Sequence, residues 1–398
     1  MREQRPEEAA LIVTRLRQIP GAAEDPLVDY VEAALAAHRG LPQQALILFE
    51  RALAGAQATG RGELVGQIRA SYGRLLATLG RRMEARREME SAIAEFERAG
   101  DPASLARVLN DLAIELGQAN DLDGAARLLE RALVATRAAS PTNSGATFIQ
   151  NLGHLEMLRG RPDLAEVRFR EIGAIFRDLD RPMKVAVSLH NLAHALWQQG
   201  RAADARESLD QAIELGRSGP AASALDLAYF DRGCWDLEGG QIAGAVAAVE
   251  EIARLAGEIG TGEVAAHAEH LRGLVARALG SSAEALERFG AARRLLAGAG
   301  AGEQLADLDL QEAELRAALG DFGQARSLVS ATVAPLVGHG DRAALVLGEI
   351  QLARLDVQAG DRVGARRRLD RLGEVGEKSP AVELRIALWT ARAELAVA

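Results

Sequence analysis

Cysteine, lysine and aromatic residues are scarce in this chain. A single cysteine, Cys234, among 398 residues excludes an internal disulfide framework and suits a reducing compartment. Lysine occurs only at Lys184 and Lys378, so nearly all positive charge is carried by arginine. We read that as base composition of the genome and not as a phosphate site. An aromatic content of 4% beside 48% hydrophobic residues argues against a β-rich core and for helices packed through alanine and leucine. Basic charge is also in deficit. A net charge of −9 argues against a general nucleic-acid or anionic-membrane binder, which needs a basic face. Long apolar runs are missing too: no segment reaches the roughly 18 apolar residues that span a bilayer, and residues 1–6 lead into a mixed amphipathic stretch. The expectation is a soluble, cytoplasmic protein without nucleic-acid or membrane partners.

What the chain has in abundance is glycine at one fixed step. Gly40, Gly80, Gly160, Gly200, Gly240, Gly280, Gly320 and Gly360 recur every forty residues, with Asn120 in the remaining slot. Five residues after each stands an alanine: Ala45, Ala85, Ala125, Ala165, Ala205, Ala245, Ala285, Ala325 and Ala365. A period held through nine units without insertion is the signature of one repeated supersecondary unit. Length alone suggests two or three domains, but in an array each unit packs only on its neighbours.

Residues 102–140 serve as a specimen of the unit. Leu105, Val108, Leu112 and Leu116 fall at helical spacing, and so do Leu122, Ala125, Leu129 and Ala132. Asn120-Asp121 between them suits a C-cap and turn. The unit reads as an αα-hairpin. Outer turns are expected at Gly60, Gly100, Ser140, Asp180, Pro220, Gly260, Gly300, Gly340 and Pro380. Seven residues before each inner turn lies a small residue (Ala33, Gly73, Ala113, Gly153, Ala193, Gly233, Gly273, Ala313, Ala353), which lets two helices approach closely. Four residues after the alanine lies an apolar seam: Phe49, Met89, Leu129, Phe169, Leu209, Val249, Phe289, Val329 and Leu369. The expected fold is an all-α, αα-hairpin solenoid of about twenty helices forming a single array over 1–398. Residues 1–25 hold a capping helix with Ala9, Ile12, Val13 and Leu16, residues 26–380 nine hairpins, and residues 381–398 a final helix. No remainder is left for a separate catalytic or DNA-binding domain.

Small residue, glycine turn, alanine, large apolar residue and a further small residue (Ala52, Ala92, Ala132, Ala212, Ala292) together resemble the tetratricopeptide repeat. Asn151-Leu152-Gly153 and Asn191-Leu192-Ala193 are similar to a segment of that family's helix A, and Trp389 falls where the family often has tryptophan. The forty-residue period over 26–380 is similar to the MalT-like and kinesin-light-chain-like type of array. The resemblance implies a right-handed superhelix whose A helices line a concave groove, and a non-enzymatic scaffold that binds a peptide or partner-protein segment there.

Motif-like strings do not point to catalysis. Residues 373–379 lack the adjacent Gly-Lys and preceding strand of a phosphate loop, and residues 298–302 are glycine-rich without a dinucleotide fingerprint, so both read as outer turns. Arg366-Arg367-Arg368, and Arg81-Arg82 with Arg86-Arg87, lie at starts of B helices and read as a solvated face. No cofactor is implied.

The A-helix columns that line the implied groove are richer. The middle repeats place there Arg107, Asn110 and Asp111, then Gln150, Asn151, His154 and Met157. His190, Asn191, His194 and Trp197 follow, then Phe230, Asp231, Cys234 and Leu237, and finally His267 and His270. Flanking repeats are blander, with Leu27, Tyr30, Val31 and Ala34 at one end and Leu347 and Ile350 at the other. Five of the seven histidines fall in these few columns, and converging polar and aromatic groups mark binding sites. Asparagines that grip a main chain and pockets of His, Phe and Trp suit a peptide. Ordinary polar lining without a ligand is the plainer alternative.

A groove enzyme or metal or small-molecule site using His154, His190 and His194 is another reading, since His190 and His194 are i,i+4 and His154, His194 and Cys234 share a column. That string lacks the glutamate of a HExxH site, and adjacent helices stand about 8–10 Å apart, so no metal is assigned from the sequence. A further alternative is a sensor or regulatory subunit of a bacterial signalling or transcription system. Asn151 and Asn191 match the asparagine column of the family's carboxylate clamp, but histidines replace its basic neighbours.

Overall fold

The computed structural model of the chain describes residues 4–19, 21–139, 143–217, 225–339, 342–377 and 382–397. Among them the structure is all-α, with twenty helices and no strand. The first half holds α1 Gln4–Leu16, α2 Pro26–His38, α3 Pro42–Ala58, α4 Gly62–Thr78, α5 Arg82–Ala99, α6 Pro102–Gln118, α7 Leu122–Ala139, α8 Asn143–Leu158, α9 Pro162–Asp178 and α10 Pro182–Gln198. The second holds α11 Ala202–Arg217, α12 Leu225–Glu238, α13 Ile242–Ile259, α14 Gly262–Ala278, α15 Ser282–Ala299, α16 Gly302–Ala318, α17 Phe322–His339, α18 Arg342–Gln358, α19 Arg362–Glu377 and α20 Val382–Val397. Two compact units, Met1–Phe148 and Ile149–Ala398, divide within α8. In both, an even-numbered A helix packs on the odd-numbered B helix after it, as α4 does on α5 and α14 on α15. A helices also touch the next A helix, α4 on α6 in the first unit and α12 on α14 in the second.

The inner turns explain the glycine column. Each glycine sits at positive φ (70° at Gly40, 74° at Gly80), and Asn120 adopts 62° in its slot. The N–H groups of Leu41, Arg81 and Asp121 reach back to the carbonyls of Ala36, Leu76 and Leu116 at 2.9, 2.9 and 2.8 Å. This closes otherwise unpaired carbonyls at the helix C-terminus and requires a left-handed residue between. Glycine takes that conformation without a Cβ penalty, and asparagine is the usual substitute. Asp121 then starts the following helix by accepting from the Gly124 N–H at 2.9 Å. The outer turns follow the same rule at Gly60, Gly100, Gly260 and Gly300, and at Asp180 with φ 50°. Those expected at Ser140, Pro220, Gly340 and Pro380 lie outside the described residues.

Two readings are corrected. Residues 373–377 are helical, the last turns of α19, and not an outer turn. Arg368 does not simply face solvent. It pairs with Glu349 at 2.8 Å and with the buried Asp356 at 2.9 Å, because Asp356 occupies a core position that a neighbouring guanidinium must neutralise. Arg366 and Arg367 are exposed, as expected.

The core is a register of small against large. A Cβ added to Gly153 would lie 2.5 Å from the Phe169 ring, and one on Gly273 would lie 2.5 Å from the Phe289 ring. Where the seam residue is Leu129, Leu209 or Leu369, alanine stands sixteen residues earlier. Glycine thus faces a phenylalanine ring in these two hairpins, whereas Phe49 stands sixteen residues after Ala33 and Val249 sixteen after Gly233, so seam size alone does not set the small residue. Gly273→Ala is expected to cost about 1–3 kcal/mol by overpacking. Gly257 in α13 is exposed with nothing within 4 Å of a new Cβ, so Gly257→Ala is expected to stabilise by about 0.5–1 kcal/mol. Denaturant unfolding of the two variants, with shifts of opposite sign, checks the register.

Candidate functional site

The side chains of consecutive A helices meet by a simple offset. Hydrogen-bonded pairs one period plus one apart include Tyr30–Ser71, His190–Asp231, Asp226–His267 and His270–Gln311. Pairs one period less three apart include Arg74–Asp111, His154–Asn191 and His194–Asp231. The two offsets differ by four residues, one helical turn, so a residue on one A helix sits between two on its neighbour.

In the second unit this offset gathers the middle of the expected site. α10 turns His190 and His194 to one face, and α12 brings Asp231 between them. His190 Nε2 and His194 Nε2 lie 2.5 and 2.8 Å from the same oxygen, Asp231 Oδ2. The rings stand 5.0 Å apart at 74°. Burial pushes the Asp231 carboxyl up, but the hydrogen bonds from the two imidazoles outweigh it and hold the group at about 2. Asp231 is therefore a carboxylate at neutral pH. Among the described residues, His190, His194 and Asp231 are the one group of three metal-ligating side chains whose atoms all lie within 4.8 Å of one another.

An aromatic wall backs this cluster. The His194 ring meets Trp235 edge-on at 5.6 Å, Trp235 stacks on Trp197 at 4.5 Å and 4°, and the Arg206 guanidinium lies 5.6 Å from the Trp197 ring on α10. Trp197 is thus half-buried and already packed. On the other side Asn191 Nδ2 lies 3.4 Å from His154 Nε2, and the exposed His154 meets Phe169 edge-on at 5.4 Å. Gln150 and Asn151 are half-buried on α8.

Other expected site residues play internal parts. His267 and His270 are buried on α14, His267 bonded to Asp226 at 2.8 Å and His270 to Gln311 at 2.9 Å. Phe230 lies between them, 5.8 and 5.0 Å from the two rings. Burial lowers His270 to about 4, although Gln311 favours its charged form, so it is neutral at neutral pH. Burial pushes the Cys234 thiol up to about 12. It stays protonated, so it is neither a nucleophile nor a ready metal ligand. Arg107, Asn110 and Asp111 belong to α6 of the first unit, where Arg107 bonds Ser104 at 2.8 Å and Asp111 pairs with Arg74 at 3.0 Å.

Sequence reasoning missed Trp235, Asp226 and Gln311. Trp235 and Asp226 lie on α12 with Phe230 and Asp231, and Gln311 lies on α16, the next A helix after α14. Asp226 and Gln311 were legible through the period-plus-one offset once one such pair was known. Trp235 was not, because the columns followed one helix face and it stands at that face's edge.

Comparison with known proteins agrees with this architecture. Tetratricopeptide-repeat family models match residues 105–143 and 145–218, the second stretch containing His154, His190, Asn191, His194 and Trp197. Among solved structures, the apo form of RapI is similar at 13% identity over 85% of this chain and 96% of that one, with a TM-score of 0.60. Aspartyl phosphate phosphatase F from Bacillus subtilis is similar at 14% identity over 83% and 89%, with a TM-score of 0.58. A Rap protein complexed with competence and sporulation factor is similar at 13% identity over 85% and 100%, with a TM-score of 0.51. At these identities the likeness is one of fold. No curated protein matches the chain. No helix among the described residues is long and apolar enough to cross a membrane.

Proposed function

We propose that this chain, a tetratricopeptide-repeat array, captures an extended peptide or partner-protein segment along the A-helix face of its second unit. Arrays of this kind are protein-interaction scaffolds that work through their repeated surfaces. The observation that carries the finer reading is the polar and aromatic strip joined across consecutive A helices by the offset contacts of His154–Asn191 and His190–Asp231–His194. Asn151 and Asn191 recur one period apart in this strip. An amide side chain offers donors and an acceptor together, which suits the alternating groups of an extended main chain. The solved Rap protein complexed with competence and sporulation factor shares the fold and is compatible with such a role. Trp197 and Phe230 are half-buried and packed against neighbouring rings, so they shape the strip, and the polar groups make the contacts.

The test is affinity capture from extract of the native cells, with bound species identified by mass spectrometry. An Asn151→Ala/Asn191→Ala double variant is expected to retain helicity and lose capture by about tenfold or more, since each lost hydrogen bond is worth about 1 kcal/mol and its orphaned partner costs more. A Gln211→Ala change on α11, a B helix, is expected to leave capture unchanged. Equal capture by the double variant and the native chain would remove this reading.

A further inference from the structure

The His190–Asp231–His194 cluster brings three side chains of metal-ligating type together. Two Nε2 atoms converge on the single Oδ2 at 2.5 and 2.8 Å, and the three ligating atoms lie within 4.8 Å of one another. Both imidazoles come from one face of α10, spaced i,i+4, and the carboxylate comes from α12 in the next hairpin. We propose that His190, His194 and Asp231 form a binding site for a divalent transition-metal ion of the zinc type, clamping α10 to α12.

The donor set fits. The two imidazole nitrogens are borderline donors that suit zinc and its neighbours, and zinc also takes a carboxylate oxygen, whereas magnesium and calcium take oxygen ligands. Zinc sites with an open position take three protein ligands, with zinc–nitrogen and zinc–oxygen bonds of about 2.0–2.2 Å. Tetrahedral angles then separate ligand atoms by roughly 3.3 Å, so the two nitrogens move away from the 2.5 and 2.8 Å oxygen contacts by about 0.5–0.8 Å to admit the ion. That lies within the play of three half-exposed side chains, of which His194 is the most open at 41% side-chain exposure. Charge is complementary as well, because two neutral imidazoles and a carboxylate carry −1 against the ion's +2. Each neutral imidazole holds its single proton on Nδ1 in the metal-bound form, the Nε2 proton being exchanged to Nδ1 through solvent, and the ion takes the Nε2 lone pairs.

Orientation is already fixed. The stack of Trp235 on Trp197 holds the His194 ring edge-on at 5.6 Å, which lowers the entropy lost when the ligands are immobilised. Cys234 is not among the ligating side chains that converge here. The solvent-facing side of the cluster leaves at least one coordination position for water or a donor from a captured segment. The site is independent of the partner-capture reading, since it is formed by this chain alone.

The experiment uses the untagged full chain, stripped with a chelator and titrated calorimetrically with zinc chloride. Cobalt serves as a second probe, because its visible bands report nitrogen and oxygen ligation. The native chain and the His38→Gln control, altered at an exposed histidine outside the cluster, are expected to bind one ion. His194→Gln and Asp231→Asn are expected to weaken binding by at least about tenfold, the lower end of what loss of even an outer partner of a metal ligand costs. Magnesium is expected not to bind, and the Asn151→Ala/Asn191→Ala variant is expected to bind zinc as the native chain does. Circular dichroism establishes that the variants fold, and His194→Gln decides the matter if Asp231→Asn does not. Absence of one-to-one binding at about 100 μM free zinc, or equal affinity in native chain and His194→Gln, overturns the proposal.

Discussion

Replacing Phe289 by alanine is expected to destabilise the hairpin of α14 and α15 by about 3–5 kcal/mol. Phe289 is fully buried, its ring lies where a Cβ on Gly273 would stand, and His270 meets it edge-on at 5.8 Å. Truncation leaves a cavity that Gly273, having no side chain, cannot fill, so the cost falls at the upper end for a core aromatic. An array need not unfold as one cooperative block. The loss is therefore expected to be local, with amide protection from hydrogen exchange reduced in α14 and α15 and retained in α6 and α7 of the first unit. Adding Gly273→Ala to Phe289→Ala is expected to reverse the sign of the glycine substitution, because the ring that overpacks against the new methyl is gone. A protection loss spread evenly over both units would contradict this account.

Acidification from pH 6.5 to 4 is expected to remove about 3 kcal/mol of stability through His270 alone. Burial lowers this imidazole from the ordinary 6.5 to about 4, and each unit corresponds to about 1.36 kcal/mol. Between those values the unfolded chain binds a proton that the folded chain refuses, so stability rises with pH across the window. The contribution of the neutral ring is complete above 6.5 and lost by about 4. Asp231 acts in a separate window. Held at about 2 against an ordinary 3.8, its contribution is complete above 3.8 and lost as pH falls towards 2. Denaturant unfolding at pH 7, 5.5 and 4 is expected to show the decline in the native chain. In His270→Asn, which keeps a polar partner for Gln311, the decline is expected to flatten in that window. An equal slope in both would show that His270 does not carry the effect.

These two predictions also mark how much was legible in the sequence. The position of Phe289 in an apolar seam and of Gly273 in a small-residue column followed from the period alone. Their close approach, and the use of glycine opposite phenylalanine, followed only from the packed hairpin. Similarly, His190, His194 and Asp231 were all expected on the A-helix face. Their convergence on one oxygen depends on the offset between neighbouring A helices, which no spacing within a single helix reveals. His267 and His270 were expected on that same face, yet the structure buries them, because α14 is covered along it by Phe230 and the Gln311 side chain. The buried acids Asp356 and Glu312 make the same point. Their arginine partners come from other helices as well as from the same one.

By itself the sequence determined the helical hairpin, its forty-residue period and its turns. Those are local matters: a left-handed glycine or asparagine, an aspartate cap and the 3.6-residue rhythm of apolar side chains act within one or two turns of chain. Only the tertiary structure decided which side chains meet, because that depends on how one helix is offset against the next. The same offset leaves His190 half-buried on Asp231 and buries His267 between Asp226 and Phe230.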